Sequence, residues 1–390
     1  MSLYIDISEF LSSPHRTGIQ RVTGELIWHW PRGYPMAAVM ITRDARMVRL
    51  PENAVAVIKD YFGSTEHQVS GFLAQIESMR AAAEASPHVP LLPDDLLLCP
   101  EVFWDPVRIY FYESRTPELH GCYRFIIYDL LVLTHPQYFV SDAPHEIIGR
   151  YFKLIRNIQN VAFISRATQD CYCQRLLRIS ETRGVALRLG SDGLGSRSSS
   201  DDKGLPGKRF VVPGTIEPRK NHALVLDAFE PLLSLVPEIE LIFVGRIGWA
   251  DQKLLDRIRR LSARYRNFQV VEDADDPTLR AYVKSARASL FVSAAEGFGL
   301  PPVESLWLGT PAVVSNMTPS IEELGERGIC RVQPLTELAL RKTVINFLDD
   351  DFYRTQATQA RGLSLPTWSD FARQVAEWVV GAYQGNTVGV

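Results

Sequence analysis

The stretch Glu296-Gly297-Phe298-Gly299-Leu300-Pro301-Pro302-Val303-Glu304 joins an apolar run, residues 288–292, to a helical pattern that continues through residues 305–308. The apolar run predicts a buried strand. The paired prolines suit the first turn of a helix, because the N–H groups there have no partner within the helix. The sequence therefore predicts a strand, a tight glycine turn and a helix N-terminus, which is the repeating unit of a doubly wound α/β sheet.

The chemistry of this stretch points to a particular kind of ligand. A helix N-terminus favours a phosphate group, and Gly297 and Gly299 allow the backbone to approach it closely. The flanking carboxylates, Glu296 and Glu304, cannot bind phosphate themselves but accept strong hydrogen bonds from hydroxyl groups. Phosphate in the middle with hydroxyls at both ends describes a nucleotide sugar.

Length and charge limit the class of protein. A chain of 390 residues exceeds one ordinary core, which predicts two domains. The net charge of −3 gives no global signal for nucleic acid. No apolar run is long enough to span a bilayer, and the first residues lack the pattern of a secretory signal. We therefore expect a cytoplasmic protein with no nucleic-acid partner.

Apolar runs alternate with amphipathic stretches along nearly the whole chain, which predicts parallel, doubly wound sheets. Residues 190–207 are poor in apolar side chains and separate two sets of strands. We predict two Rossmann-like domains that face a cleft, an N-terminal domain over 1–195 and a second domain over 205–365 that would carry the nucleotide-sugar site. Residues 366–390 contain an amphipathic helix that could pack back on the first domain.

A second site element is Gly214-Thr215-Ile216-Glu217-Pro218-Arg219-Lys220-Asn221, between a predicted strand and a long helix. Asn221 is a candidate N-cap, so Arg219 and Lys220 lie at a helix start, where the macrodipole disfavours cations. An anion beside them would explain this placement. Lysine and arginine together can neutralise a diphosphate leaving group without a metal. The ordinary alternative is a solvated basic turn.

The first half contributes weaker candidates. Thr17 and Gly18 follow the first strand, where a glycine permits close approach of a ligand; a purely structural turn is the alternative. Tyr128 and Asp129 end an apolar strand, and Asp129 is a candidate catalytic residue that would orient a hydroxyl of the acceptor or donor. A helix-capping role is the alternative for Asp129. His135, a few residues further on and directly before Pro136, is another site candidate, and a surface position is the alternative for it.

Two further strand ends in the second half would line a nucleotide pocket, since ligands of such sheets bind at the carboxyl ends of the strands. They carry Gly245 with Arg246, and Glu272 with Asp273. Arg246 is a candidate phosphate contact; the alternative is a surface arginine.

One predicted helix carries a cluster of arginines. A solvated face is the usual explanation, and peripheral contact with anionic lipid at the inner face of the membrane is the second hypothesis. The cluster comprises Arg257, Arg259, Arg260, Arg264 and Arg266.

Three features taken together resemble the GT-B glycosyltransferases of family 4: the Glu296-to-Glu304 spacing, the segment from Gly214 to Asn221, and the early glycine turn. The resemblance covers most of the chain and is strongest over 210–324. It implies retaining sugar transfer from a nucleotide diphosphate sugar, with no metal and no further cofactor. It also implies that the N-terminal domain, 1–195, binds the acceptor and that the domain over 205–365 binds the nucleotide sugar.

The same resemblance implies roles for individual residues. Glu296 would contact hydroxyls of the donor sugar, and Glu304 the ribose. Backbone N–H groups of Phe298, Gly299 and Leu300 would hold phosphate and sugar.

Lys220 and Arg219 would stabilise the diphosphate, and Gly18 would lie beneath the phosphates from the first domain. The family has no established protein nucleophile. Its leaving phosphate is thought to take the acceptor proton.

The chain departs from the family pattern at two positions. Many members have arginine where this chain has Thr215, and histidine where it has Tyr128. The overall form resembles bacterial members that build mannose- or rhamnose-containing surface polysaccharides.

The predicted partners are a nucleotide-sugar donor and a glycan or lipid-linked glycan acceptor. Two alternatives remain: a nucleotide-sugar epimerase and a non-catalytic subunit that binds a nucleotide sugar. An NAD-dependent dehydrogenase is disfavoured, because no Gly-x-Gly-x-x-Gly follows the first strand.

Overall fold

A computed structural model describes residues 1–15, 17–64, 66–114, 117–139, 145–197 and 205–382. The chain divides into two compact units. The described residues of Met1–Leu130, Ser141–Gly190 and Pro366–Val390 form unit 1, and those of Leu131–Val140 and Ser191–Leu365 form unit 2. Within the polar stretch 190–207, which was predicted to separate the two sets of strands, residues 198–204 lie outside the described residues, as do residues 383–390.

Unit 1 is built on a sheet with the order β3-β2-β1-β4-β5-β6-β7. Neighbouring strands are parallel except β3, which pairs antiparallel with β2. The order turns back at β1, because β2 lies on one side of it and β4 on the other. The strands are β1 Leu3–Asp6, β2 Ala37–Ile41, β3 Met47–Arg49, β4 Leu96–Cys99, β5 Tyr123–Ile127, β6 Asn160–Phe163 and β7 Val185–Ala186.

Unit 2 is built on a parallel sheet with the order β10-β9-β8-β11-β12-β13. Its first strand lies in the middle, with β9 on one side and β11 on the other. This change of direction is the topological switch point, where parallel sheets bind their ligands. The strands are β8 Lys208–Pro213, β9 Ile239–Val244, β10 Phe268–Val271, β11 Ala288–Phe291, β12 Ala312–Ser315 and β13 Ile329–Val332.

Helices connect the strands, as the alternating pattern predicted. None of the helices within the described ranges is long and apolar enough to cross a bilayer. The helices are α1 Ser8–Ser12, α2 Gly18–Trp28, α3 Ala54–Gly63, α4 Glu66–Glu84, α5 Pro106–Glu113, α6 Leu131–Thr134, α7 His145–Asn157, α8 Arg166–Cys171, α9 His222–Leu235, α10 Gln252–Arg264, α11 Asp276–Lys284, α12 Leu300–Trp307, α13 Glu337–Asn346, α14 Asp350–Arg361 and α15 Trp368–Val379.

Tyr128 and Asp129 were predicted to end a strand, but they lie just beyond β5. The run extends to Leu131, but β5 ends at Ile127. The carbonyl of Tyr128 accepts a hydrogen bond from the hydroxyl of Thr168 at 3.1 Å, so it is satisfied by a side chain beside the sheet. An apolar run alone cannot show where a side chain, instead of a neighbouring strand, becomes the hydrogen-bond partner of the backbone and the strand ends.

Helix α15 belongs to unit 1. It begins with a capping box in which Thr367 and Asp370 satisfy each other's backbone N–H groups. Trp368 is buried against Gly190, where an added Cβ would lie 2.4 Å from the Trp368 nitrogen. Only a residue without a side chain permits this close approach.

The segment that follows β5, from Leu131 to Phe139, groups with unit 2 although it comes from the first half of the chain. The indole N–H of Trp249 donates a hydrogen bond to the carbonyl of Tyr138 at 2.7 Å. The rings of Phe139 and Trp249 lie 6.4 Å apart. These contacts attach the segment to the loop after β9.

Candidate functional site

The two strongest sequence elements meet at the switch point of unit 2. Strands β8 and β11 are neighbours, with Phe210 opposite Ala288 and Val211 opposite Ser289. Parallel strands end at the same edge of a sheet. The loop 214–221 after β8 and the loop 292–299 after β11 therefore leave this edge side by side.

The β8 loop ends in a short 3₁₀ turn, Pro218–Lys220, before α9. Asn221 occupies the N-cap position but makes no side-chain cap bond; its backbone is left-handed, with φ of 59°. Asparagine tolerates this conformation better than most residues. Its side-chain amide instead donates to the carbonyl of Val292 at 3.1 Å. The predicted cap residue therefore joins the two loops.

The β11 loop ends at Gly299, the N-cap of α12, with φ of 92°. A Cβ at this position would lie 2.9 Å from the Thr318 side chain, so both the conformation and the space require glycine. Pro301 and Pro302 fill the first turn and carry no N–H. Donors for a ligand at this helix end must therefore come from the turn itself, chiefly Gly299 and Leu300.

A cluster of four charged side chains, Glu217, Arg219, Lys220 and Glu296, connects the two loops; we call it the unit 2 ion cluster. The Lys220 ammonium lies 2.7 Å from Oε1 of Glu296, and the Arg219 guanidinium lies 2.5 Å from Oε2. Each carboxylate oxygen thus holds one cation. The side chains are only 14% exposed for Arg219, 13% for Lys220 and 7% for Glu296.

Arg219 is fixed by its backbone as well as its side chain. Its carbonyl accepts from the Ala294 N–H at 2.8 Å, and its guanidinium donates to the carbonyl of Ala295 at 2.9 Å. Its other terminal nitrogen lies 2.6 Å from Glu217, whose side chain is 4% exposed. Sequence reasoning missed Glu217. The only local signal was a lone carboxylate in the loop that follows β8.

Burial and pairing act against each other in this cluster. Burial raises the pKa of Glu296, but Lys220 and Arg219 outweigh it and hold that pKa below its usual value. Burial also lowers the pKa of Lys220, with Glu296 acting in the opposite sense. The ammonium lies 4.2 Å from the centre of the Phe291 ring, which contributes a cation–π contact.

His222, at the start of α9, is a second residue that sequence reasoning missed. It is 1% exposed and packs edge-on against Phe243, with ring centres 4.9 Å apart. Burial, helped by the nearby charge of Lys220, lowers the pKa of His222 to about 3. The ring is therefore neutral at physiological pH and adds no charge to the cluster.

The remaining candidates of unit 2 lie around this edge. Glu304 is buried in α12, with 3% of its surface exposed. Gly245, with φ of 150°, approaches Gly214 so closely that a Cβ would lie 2.3 Å from the Gly214 carbonyl oxygen. Arg246 and Asp273 are exposed after β9 and β10.

The loop after β9 packs on the loop after β8. A Cβ on Gly248 would lie 2.7 Å from the methyl group of Thr215. Thr215 is half-buried against the next loop, and its side chain supplies no charge. Within the described cluster, Lys220 and Arg219 supply the positive charge.

In unit 1, Thr17 is the N-cap of α2, and its side chain accepts from the N–H of Gln20 at 3.3 Å. Gly18 has open space where a Cβ would be. Tyr128 is buried, and its hydroxyl donates to the carbonyl of Pro100 at 2.7 Å, so this group serves the core. Asp129 follows it and is half-buried.

Unit 1 has its own buried charges at its switch point, between the ends of β1 and β4; we call them the unit 1 ion cluster. Arg108 on α5 lies 2.9 Å from Asp6 and 3.3 Å from Glu101. The Tyr112 hydroxyl donates to Asp6 at 2.7 Å. Glu101 also accepts from the N–H groups of residues 9 and 10 in α1. Arg108, Asp6 and Glu101 are each at most 1% exposed.

Comparisons with known proteins find a matching family model, related sequences and similar solved structures. Residues 199–361 match the family model described as Glycosyl transferases group 1. The chain is 23% identical over 350 residues to the serotype-specific mannosyltransferase WbdA of Escherichia coli. That alignment covers 83% of this chain and 40% of WbdA. It is 36% identical over 154 residues to the O-antigen chain mannosyltransferase B of Escherichia coli, covering 39% of each protein.

The chain thus spans about 40% of the length of these curated relatives. Among solved structures, Alr3699/HepE of Anabaena in complex with UDP is 16% identical, with a TM-score of 0.64 over 98% of this chain and 100% of that one. Identity at this level establishes the fold alone. The chain has the α/β GT-B fold, with two Rossmann-like sheets, as the sequence predicted.

Proposed function

We propose that this protein is a glycosyltransferase that moves a hexose, with mannose the first candidate, from a nucleotide diphosphate sugar to a saccharide or lipid-linked acceptor. The observation that carries the proposal is the pairing of Lys220 and Arg219 with Glu296 at the switch point of unit 2. Cations for a diphosphate and a carboxylate for sugar hydroxyls lie together beside a helix N-terminus. The mannosyltransferase names of the relatives support the choice of sugar and a role in surface polysaccharide synthesis.

We further propose that transfer is retaining and needs no metal. The bond from the anomeric carbon to the diphosphate breaks, and a bond to the acceptor oxygen forms on the same face. The acceptor proton passes to an oxygen of the leaving phosphate. Lys220 and Arg219 would neutralise the charge that develops on the diphosphate, which is the part of the reaction that a protein can stabilise electrostatically.

The remaining roles follow from the resemblance and are part of the same proposal. Glu304 would bind the ribose, and the N–H groups of Gly299 and Leu300 the phosphates. Gly18, with Thr17 beside it, would approach the phosphates, and Asp129 would orient a hydroxyl of the acceptor or the donor.

Peripheral contact with the inner face of a membrane is a separate proposal, with weaker support. Arg257 of the arginine cluster is paired with Asp227 and Glu230, at 2.5 and 3.0 Å, and Arg259 with Asp256 at 3.0 Å. These arginines are already partly neutralised. Coflotation with anionic vesicles, compared between wild type and a variant with the α10 arginines replaced by glutamine, tests this contact.

The function is tested by a thermal-shift screen against GDP, UDP, ADP and dTDP and their sugars, followed by a transfer assay with the donor that binds. Binding raises the melting temperature by mass action. Release of the nucleoside diphosphate that depends on an added saccharide acceptor supports transfer. Conversion of the donor to an epimer without acceptor would support an epimerase, and binding without either reaction would support a non-catalytic subunit.

A further inference from the structure

Glu296 holds both cations of the unit 2 ion cluster at once. One carboxylate oxygen lies 2.7 Å from the Lys220 nitrogen, and the other lies 2.5 Å from a terminal nitrogen of Arg219. Glu217 takes the second terminal nitrogen of Arg219, at 2.6 Å. The cations are therefore engaged by carboxylates from the protein itself.

The charge balance of the cluster follows directly. It contains two cations, Arg219 and Lys220, and two carboxylates, Glu217 and Glu296, so its formal charge is zero. All four side chains are nearly buried, which weakens screening by water and salt. A diphosphate that contacts the same nitrogens therefore gains no net positive charge from the cluster. It is also repelled by the negative charge of a carboxylate only a few ångströms away.

We propose that Glu296 competes with the diphosphate for Lys220 and Arg219, and that the donor sugar relieves this competition. Sugar hydroxyls can donate to the carboxylate and replace the hydrogen bonds that it gives up when a phosphate takes the cations. A bare nucleoside diphosphate offers no such donors at that position. The site would thus prefer the intact nucleotide sugar, and after transfer Glu296 would return to the cations and promote release of the product. This inference rests on the proposed function.

The test uses the full-length protein and isothermal titration with GDP, UDP and inorganic pyrophosphate. Glu296→Gln keeps the shape of the side chain but removes its charge, leaving the two cations unopposed on that side. We expect the variant to bind the preferred nucleoside diphosphate about tenfold tighter than wild type, or more, since close charge pairs contribute at least this much. The variant should also bind pyrophosphate tighter than wild type does, but it should bind the corresponding nucleotide sugar no tighter than wild type.

Glu240→Gln is the matched control for net charge. Glu240 lies near the start of β9 and pairs with Arg209 at 2.7 Å, at the amino end of the same sheet. Its removal changes the net charge by the same amount, far along the strands from the cluster. We expect the affinity for nucleoside diphosphate to stay within about twofold of wild type, because a charge beyond a Debye length is largely screened.

A second measurement needs no variant and therefore does not depend on Glu296→Gln folding. Wild type should bind the nucleotide sugar about tenfold tighter than the matching nucleoside diphosphate. Equal affinities in wild type, or a Glu296→Gln protein that binds the diphosphate no tighter than wild type, would overturn the competition while leaving the proposed function intact. Failure of wild type and variant alike to bind any nucleotide would contradict the proposed function and this inference together.

Discussion

Each sheet carries an ion cluster at the point where its strand order changes direction, and the two clusters differ in burial and in charge balance. In unit 1, Arg108, Asp6 and Glu101 are at most 1% exposed. In unit 2, the cations Arg219 and Lys220 keep 14% and 13% of their side-chain surface exposed. The same position in a doubly wound sheet is thus closed in one case and reachable in the other.

The two clusters also differ in their balance of positive and negative groups. In the unit 1 ion cluster, Arg108 faces the carboxyl groups of Asp6, Glu9 and Glu101. Burial raises the pKa of Glu101 to about 8, so the excess of acid is relieved by a proton. In the unit 2 ion cluster, two cations match two carboxylates. The first arrangement secures α1 and α5 to the sheet; the second holds cations that a ligand can reach.

The largest effect on activity is expected at Lys220. Lys220→Met should lower kcat/KM about 100- to 1,000-fold, as removal of one preorganised group at a developing charge does. Arg219 still pairs with Glu296, so the melting temperature should fall little. Steady-state transfer assays and thermal melts measure the two effects.

Lys208→Met is the control for Lys220→Met. Lys208 begins β8 and pairs with Glu238 at 2.8 Å on the exposed surface. Its replacement should leave kcat/KM unchanged. Near-normal transfer by Lys220→Met would remove the lysine from the proposed chemistry.

Substitutions in the unit 1 ion cluster should lower the stability of the fold. Arg108→Met leaves Asp6 and Glu101 buried without their cation, which should lower the free energy of unfolding by about 3–5 kcal/mol. Urea denaturation measures it. Arg150→Met breaks a half-exposed pair with Glu113, at 2.7 Å, and should cost no more than about 1 kcal/mol. Equal losses in the two variants would show that the unit 1 ion cluster stabilises the fold no more than a surface pair does.

Glu217 is buried like the unit 1 carboxylates, but it pairs with Arg219, a cation of the candidate site. Its substitution therefore tests whether a buried carboxylate contributes to activity. Glu217→Gln should lower kcat/KM about tenfold by loosening Arg219, since small displacements of a charged group are costly in catalysis. Glu217→Asp should recover part of the loss, because it restores the charge. If both variants transfer like wild type, Glu217 does not position Arg219 for catalysis.

Glu101 should also give the stability of the fold a pH dependence. Its pKa is raised in the folded state, so between the usual carboxyl value and about 8 the folded protein binds more protons than the unfolded chain. Stability from this group is therefore present at low pH and is lost as pH rises through that window. In wild type, the urea midpoint should therefore fall as pH rises from 5 to 8. Glu101→Gln should make this fall smaller. An unchanged slope would contradict the assignment.

Local patterns were enough to predict the strand, turn and helix around Glu296, because apolar runs, glycines and prolines act over a few residues. The resemblance, and not a local pattern, assigned Lys220 and Glu296 to one donor site; the structure pairs these side chains across 76 residues. The contact between Arg108 and Asp6, across 102 residues, was not predictable, since it depends on how α5 packs. The role of Asn221 was missed for the same reason: its partner, the Val292 carbonyl, lies on the neighbouring loop.

A crystal structure with a bound nucleotide sugar tests the central claim most directly. We predict a diphosphate oxygen within about 3 Å of the Lys220 nitrogen, with Glu296 turned to the sugar hydroxyls and the phosphates beside Gly299. A diphosphate bound away from this edge, with Lys220 still held only by Glu296, would contradict it.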